Sequence, residues 1–383
     1  MGCLPGGPLP DPGHAGPATI GADDFMTMSF EADILAQGDV LRRLLASWED
    51  RRAAVTAVRE AALPDAPVIL TGMGASLAAV SIAEPVLRAA GRQVGLVDAG
   101  ELGLFGAEAL TPGTLVLMAS QTGRSRETVA TAAALRGRGS SVIALVNDLA
   151  SPLASIVDVA ITIEAGPEDA NACKTFTATQ LLALLVAGEL TGRTADIPPL
   201  HRLPAVVEGL GSLARLVDAP LRELDACGYF ALLAHGPAMS TGRYGALLAK
   251  EMLAIPGEAA SVSEFRHGPV ELVARRIGSI VLAASENGRT ISLELASSIA
   301  ERGGPVWLLA TSGDLPTTRG VTVTDLGRLH DLELPIAAAV ALQRFFSAYA
   351  RRLGRTPGVF AAFDPIADTG REETRPPALN AAP

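Results

Sequence analysis

"LVLMASQTGR" (residues 115–124) and "IVLAASENGR" (residues 280–289) stand 165 positions apart and share an apolar run, a serine, a polar pair and a Gly-Arg ending. Each run is short and continuously apolar rather than alternating, the pattern of a strand buried on both faces of a parallel sheet. The next strand-like runs, "SVIALV" (141–146) and "PVWLLA" (305–310), keep nearly the same spacing, and "PVILTGMGAS" (67–76) has a counterpart in "GYFALLAHGPAMS" (228–240). Two blocks in register argue for internal duplication of one α/β unit.

Working outward, "QVGLVDAG" (93–100) and "VAITIEAG" (159–166) read as further strands, and "AAVSIAEPVLRAAG" (78–91) as a helix between two of them. Such alternation predicts a parallel sheet with helices on both faces. A helical pattern over 29–61 precedes the first strand and ends at Leu63 and Pro64. The boundary between copies is expected near "TGRTADIPPLHRLP" (191–204). The expected domains are a disordered extension (1–28), a first domain with its N-terminal helix (29–200), a second domain (201–350) and a C-terminal tail (351–383).

The chain has 383 residues, enough for two ordinary cores, with 49% hydrophobic and 19% charged residues. A formal charge of −10 offers no basic field for nucleic acid, so a small, locally captured substrate is expected. Cys3, Cys173 and Cys227 are far apart and form no CxxC, which predicts neither a disulfide framework nor a metal site and fits a cytoplasmic protein. The first 25 residues, rich in Gly and Pro, have neither a basic n-region nor an apolar h-region, and no apolar run reaches membrane-spanning length. The glycines of "TGMGAS" lack the third glycine of GxGxxG, so no dinucleotide cofactor is expected, and no other cofactor is implied.

In an open parallel sheet, ligands bind where loops and helix N-termini meet at the carboxyl ends of the strands. A phosphate there needs backbone N–H groups, hydroxyls and a glycine that lets the backbone approach. Gly74 and Ser76 in one loop, and Ser120, Gln121, Thr122, Gly123 and Ser125 in the other, meet that need; Thr128 lies slightly deeper. Taken alone, Ser120–Ser125 reads more readily as a turn and helix cap with Arg124 and Arg126 solvated. In the second copy Glu286 replaces Gln121 and Asn287 replaces Thr122, which predicts that this copy keeps the turn and loses the phosphate.

With these residues in hand, the chain resembles double-SIS (sugar isomerase) phosphosugar proteins, such as the isomerase half of glucosamine-6-phosphate synthase and stand-alone glucosamine-6-phosphate deaminases. The resemblance covers roughly residues 29–350 and rests on "SQTGRSRET" (120–128), "CKTFTATQ" (173–180), "LLAKEM" (247–252) and "GEAASVSEFRHGP" (257–269), in that order. It implies two tandem SIS domains, each a doubly wound, mainly parallel five-stranded sheet flanked by helices. It also implies a hexose or hexosamine 6-phosphate held by Ser76, Ser120, Gln121, Thr122 and Ser125, and catalysis by Glu251 and His267.

For the chemistry implied, a histidine suits proton transfer at the ring oxygen and a partly desolvated carboxylate suits the C1/C2 proton shuttle. The resemblance implies that the histidine reaches the sugar from a neighbouring subunit, hence a homodimer. Outside the resemblance, Glu251 beside Lys250 reads as a solvated pair and His267 as a loop residue. Lys174, Glu258 and His235 are further candidates to line the cleft, His235 equally a helix cap. About 28 residues precede the first SIS helix, so a glutamine-hydrolysing domain is not expected and free ammonia is the expected nitrogen species. Relatives carry a tail lysine that forms a Schiff base; here the lysines are Lys174 and Lys250 alone. Arginine cannot replace them as nucleophile. The expected reaction is conversion of glucosamine 6-phosphate to fructose 6-phosphate and ammonia. A fructosamine-type deglycase, an aldose-ketose isomerase and a non-catalytic sugar-phosphate sensor are the alternatives.

Overall fold

A computed structural model describes residues 30–63, 65–168, 171–213, 215–284 and 288–361. The N-terminal extension, Pro64, Glu286, Asn287 and the chain beyond residue 361 lie outside the described residues, and with them the expectations placed there.

The amphipathic N-terminal stretch forms two helices rather than one, α1 (Phe30–Ala46) and α2 (Trp48–Ala61), with Ser47 at the break. Then come β1 (Val68–Gly72), α3 (Ala75–Val80), α4 (Glu84–Ala89), β2 (Val94–Asp98) and the single turn α5 (Ala99–Glu101). The expected helix over 78–91 is broken because Pro85 in the first turn of α4 has no N–H to give to the preceding turn; a 3-10 turn over Ser81–Ala83 bridges the gap. The first half continues with β3 (Leu115–Ser120), α6 (Arg126–Gly137), β4 (Ser141–Val146), α7 (Pro152–Ile156), β5 (Val159–Thr162) and α8 (Lys174–Thr191).

After a Gly192 C-cap in the left-handed region, α9 (Leu203–Ser212) and α10 (Asp218–Glu223) lead into the second half. It consists of β6 (Phe230–Ala234), α11 (Ala238–Leu253), β7 (Gly257–Ser261), α12 (Val262–Phe265), β8 (Gly278–Ala283), α13 (Arg289–Glu301), β9 (Val306–Ala310), β10 (Val321–Asp325) and α14 (Leu334–Arg352).

All pairings are parallel, and the two five-stranded sheets share one order: β2-β1-β3-β4-β5 and, equivalently, β7-β6-β8-β9-β10. The duplication read from residues 115–124 and 280–289 is therefore a duplication of topology, with β3 and β8 at equivalent places. Their residues are buried throughout, as continuous apolar runs require.

A large apolar core lies between the sheets, built around α1, α8, α11 and α14, while smaller cores fill the outer face of each sheet. Almost every residue of α8 and α14 is buried, as expected for helices running through an interior rather than along its rim. The N-terminal α1 packs on α9 and α14 of the second half as well as on α8. A side chain at Gly38 would lie 2.9 Å from the Pro204 carbonyl oxygen, so the α1–α9 contact depends on that glycine.

Candidate functional site

The C-terminal ends of β1 and β3 open onto one cavity of about 200 Å³. In strand order the chain moves from β1 to β2 on one side and returns to β3 on the other. The cavity therefore sits at the topological switch point of the sheet.

One wall is the loop from β1 to α3. Gly72 lets it approach β3: a Cβ there would come within 2.9 Å of the Ala119 carbonyl oxygen. Gly74 takes φ 51°, a conformation that favours glycine, and places Ser76 in the first turn of α3, at the cavity. The second wall is the turn from β3 to α6. Gly123 (φ 61°) packs against Ser151, and its N–H donates to Ser120 Oγ at 3.2 Å. Ser125 stands at the N-cap of α6 without using its side chain as a cap, although its chain position is where serine normally caps. Ser120, Gln121, Thr122, Ser125 and Thr128 all line the cavity with Ser76.

These hydroxyls and the Gln121 amide gather at the N-terminus of a twelve-residue helix, where backbone N–H groups and the helix dipole favour negative charge. Among the described residues, no lysine or arginine lines the cavity. Arg124 turns outward and pairs with Asp148 at 2.8 Å in an exposed position.

The third wall comes from α8 and the residues before it. Ala172, Thr175, Phe176 and Thr179 line the cavity, and Phe176 stacks on Tyr244 with ring centroids 3.7 Å apart. Sequence reasoning quoted this stretch but did not assign these threonines. Their i, i+4 spacing on an otherwise apolar helix is the signal that places two hydroxyls on one face.

The fourth wall carries Glu251, in the last turn of α11. Burial pushes its carboxyl up to about 7, against the opposing pull of a hydrogen bond from Asn171 and the charge of Lys250. Asn171 Nδ2 donates to Glu251 Oε2 at 2.9 Å, and its own Oδ1 is buried without a partner. Glu168 stands behind this wall. Its carboxylate accepts from the Thr175 N–H and hydroxyl, and burial raises it to about 7 in spite of those bonds. Gln121 Nε2 donates to the Glu168 carbonyl oxygen at 3.5 Å, tying the turn after β3 to the segment that precedes α8. The chain also returns here after α14, where the Ala361 N–H donates to the Glu251 carbonyl oxygen at 2.7 Å.

The remaining candidates lie elsewhere. Lys174 does not reach the cavity: its ammonium sits 2.5 Å from Asp33 Oδ1 with both side chains about 2 to 3% exposed. A buried lysine charge is retained only when paired, and this pair consumes it. Lys250 is exposed. Glu258 is on β7, exposed, and accepts from the Tyr229 hydroxyl at 2.6 Å. His267 is exposed in the bend after α12 and lines no part of the cavity within its own chain. His235 lines a second cavity, at the end of β6. No group of His, Cys, Asp and Glu suited to a metal occurs among the described residues. No helix among them is long and apolar enough to cross a membrane.

Comparison with known proteins shows what the chain is similar to. Residues 66–188 match the SIS domain family. The second half repeats its strand order, giving two SIS-like domains in tandem. The glutamine–fructose-6-phosphate aminotransferase (isomerizing) of Rhizobium meliloti is 27% identical over 266 residues, covering 67% of this chain and 43% of the relative. The chain thus matches less than half the length of that relative.

The C-terminal domain of glucosamine-fructose-6-phosphate aminotransferase from Francisella tularensis has a TM-score of 0.77 at 19% identity, covering 87% of this chain and 98% of the neighbour. Glucosamine-6-phosphate deaminase from Thermotoga maritima has a TM-score of 0.68 at 19% identity, covering 88% and 98%. At these identities the structural likeness concerns the fold.

Proposed function

We propose that this SIS-domain chain is an amino-sugar phosphate deaminase/isomerase that converts glucosamine 6-phosphate to fructose 6-phosphate and ammonia. The observation that carries the reading is the placement of Glu251 across one cavity from the hydroxyl-rich turn Ser120–Ser125. A phosphate bound at that turn would extend the sugar towards a carboxylate that burial has brought near neutrality.

In this reading Ser76, Ser120, Gln121, Thr122 and Ser125 hold the phosphate, with the backbone near Gly74 shaping the approach. His267, supplied by the partner in a homodimer, moves the proton that opens the ring. Glu251 takes the proton from C2 of the open-chain aldehyde, giving an enaminol, and returns it to C1. The product has a C1 hydroxymethyl group and a C2=NH bond. Water adds to that imine and releases ammonia, leaving the C2 ketone. A carboxyl titrating near 7 suits both halves of the shuttle, since it exists in both forms at neutral pH.

The substrate's own nitrogen forms the imine, so no enzyme amine is required, in keeping with a cavity that neither lysine lines. A plain aldose-ketose isomerase would use the same two groups; release of ammonia separates the two reactions. The test is ammonia and ketose formation from glucosamine 6-phosphate, with fructose 6-phosphate and glucose 6-phosphate as the nitrogen-free pair. Ketose formation from the aldose phosphate without any ammonia from the amino sugar would replace the deaminase reading with the isomerase one.

A further inference from the structure

Tyr244 and Glu251 lie two turns apart on one face of α11, about 10 Å along the helix. Both meet the same short segment before α8. Glu251 takes the Asn171 side chain at 2.9 Å, and the Tyr244 hydroxyl donates to the carbonyl oxygen of the next residue, Ala172. Gln343 of α14 adds a third hold: its Nε2 donates to the Cys173 carbonyl oxygen at 3.2 Å and to the Tyr244 hydroxyl at 3.1 Å.

The network continues into α1 and α8. Gln37 Nε2 donates to Gln343 Oε1 at 2.8 Å and to the Ile34 carbonyl oxygen at 3.1 Å, and the Thr177 hydroxyl donates to Gln37 Oε1 at 2.8 Å. Gln37, Thr177, Tyr244 and Gln343 are all fully buried. Each of their side-chain N–H and O–H hydrogens has an acceptor, and a buried polar network satisfied in this way fixes one arrangement. Burial pushes the Tyr244 phenol well above its ordinary range, so the hydroxyl stays protonated and remains a donor. Its ring stacks on Phe176, a cavity wall.

Asn171 is placed differently. Its Nδ2 meets Glu251, while its Oδ1 is buried without a partner among the described residues. An amide with so little holding its far end takes its orientation from the backbone that carries it. That backbone is fixed at the next two carbonyls, by Tyr244 and Gln343.

We propose that Tyr244 is a positioning residue for Glu251: its hydroxyl fixes the Ala172 carbonyl and so holds Asn171 where it donates to the carboxylate. The consequence for catalysis rests on the reading of Glu251 as the proton shuttle. The positioning itself can be measured without turnover, because an Asn171 that swings away stops favouring the ionised carboxylate.

The experiment follows the Glu251 carboxyl by NMR between about pH 5 and 9, in the full chain carrying carbon-13 at its glutamate side-chain carboxyls; Glu251→Gln assigns the resonance. Tyr244→Phe keeps the stacked ring and removes the hydroxyl, and Gln343→Met breaks the same hold from α14. Tyr349→Phe removes another buried hydroxyl, one that donates to the Leu224 carbonyl, and serves as the control. The midpoint should rise by about half a unit or more in Tyr244→Phe or Gln343→Met, whichever folds, and stay in place in Tyr349→Phe. Combining Tyr244→Phe with Asn171→Ala should give no further rise than Asn171→Ala alone. A purely structural tyrosine would lower the melting temperature and leave the midpoint where it was. That result, a rise matched by Tyr349→Phe, or a shift that adds in full to that of Asn171→Ala would overturn the proposal. Failure of the wild type to release ammonia would count against the deaminase reading and leave this midpoint unaffected.

Discussion

Asn171 Nδ2 donates a 2.9 Å hydrogen bond to Glu251 Oε2, and this bond opposes the burial that lifts the Glu251 carboxyl to about 7. The donor favours the ionised form, so removing it moves the carboxyl further up. Asn171→Ala should therefore shift the acidic limb of the kcat profile to higher pH, while activity well above that limb recovers towards wild type. A structural role alone would lower activity at every pH and leave the limb where it was.

Ser125 heads α6 with its hydroxyl uncommitted to the cap. If that hydroxyl meets the phosphate, Ser125→Ala raises KM for a sugar phosphate about tenfold with kcat little changed, the loss of roughly one hydrogen bond to a charged group. Helix stability should be nearly unaffected. A large fall in melting temperature with unchanged KM would assign the residue to the cap instead.

Lys174 and Asp33 form a pair sealed from solvent. Lys174→Met removes the cationic partner of the buried Asp33 carboxylate and should destabilise the fold by about 3–5 kcal/mol. The molecules that remain folded should keep their turnover, because the ammonium does not reach the cavity. Trapping of a sugar phosphate on Lys174 by borohydride reduction would contradict this.

Gly123 holds φ 61° with Ser151 directly against the position a side chain would take. Gly123→Ala combines left-handed strain with overpacking, a loss of about 2–4 kcal/mol. Urea denaturation measures it, and a cost below about 0.5 kcal/mol would show that the turn relaxes freely.

Glu251 is a carboxylate whose folded value lies above its ordinary 4.5. The folded protein then holds more protons than the unfolded chain between about pH 4.5 and 7. The stabilising share of this group is complete below pH 4.5 and is lost as pH rises through 7. Glu251→Gln should consequently match wild-type stability near pH 4 and exceed it at pH 8, by at most about 3 kcal/mol at 1.36 kcal/mol per pKa unit. Equal stability across the range would mean that the carboxylate is well solvated.

The sheets were legible because continuous apolar runs such as 115–119 have one simple solution, burial between two helix layers, and because the repeat 165 residues later supports the same reading. The polar turn after β3 was legible as a run of serines, threonine and glycine closing an apolar strand. What escaped was decided by tertiary contacts. Nothing local to "CKTF" distinguishes a lysine that faces ligand from one that meets Asp33, 141 positions earlier. Asn171 gained significance only from a carboxylate 80 positions away, and Thr175 and Thr179 were hidden in what reads as an apolar helix. The break at Ser47 carries no proline or glycine signal, and Trp48 just after it is buried in the central core.

The most direct test of the central claim is ammonia release from glucosamine 6-phosphate by the purified full chain, with Glu251→Gln assayed beside it. The account predicts stoichiometric ammonia and fructose 6-phosphate from the wild type, and a loss of at least a thousandfold in kcat in the variant without loss of sugar-phosphate binding. Sugar-phosphate binding with no ammonia and no ketose from the wild type, or release undiminished by Glu251→Gln, would contradict it.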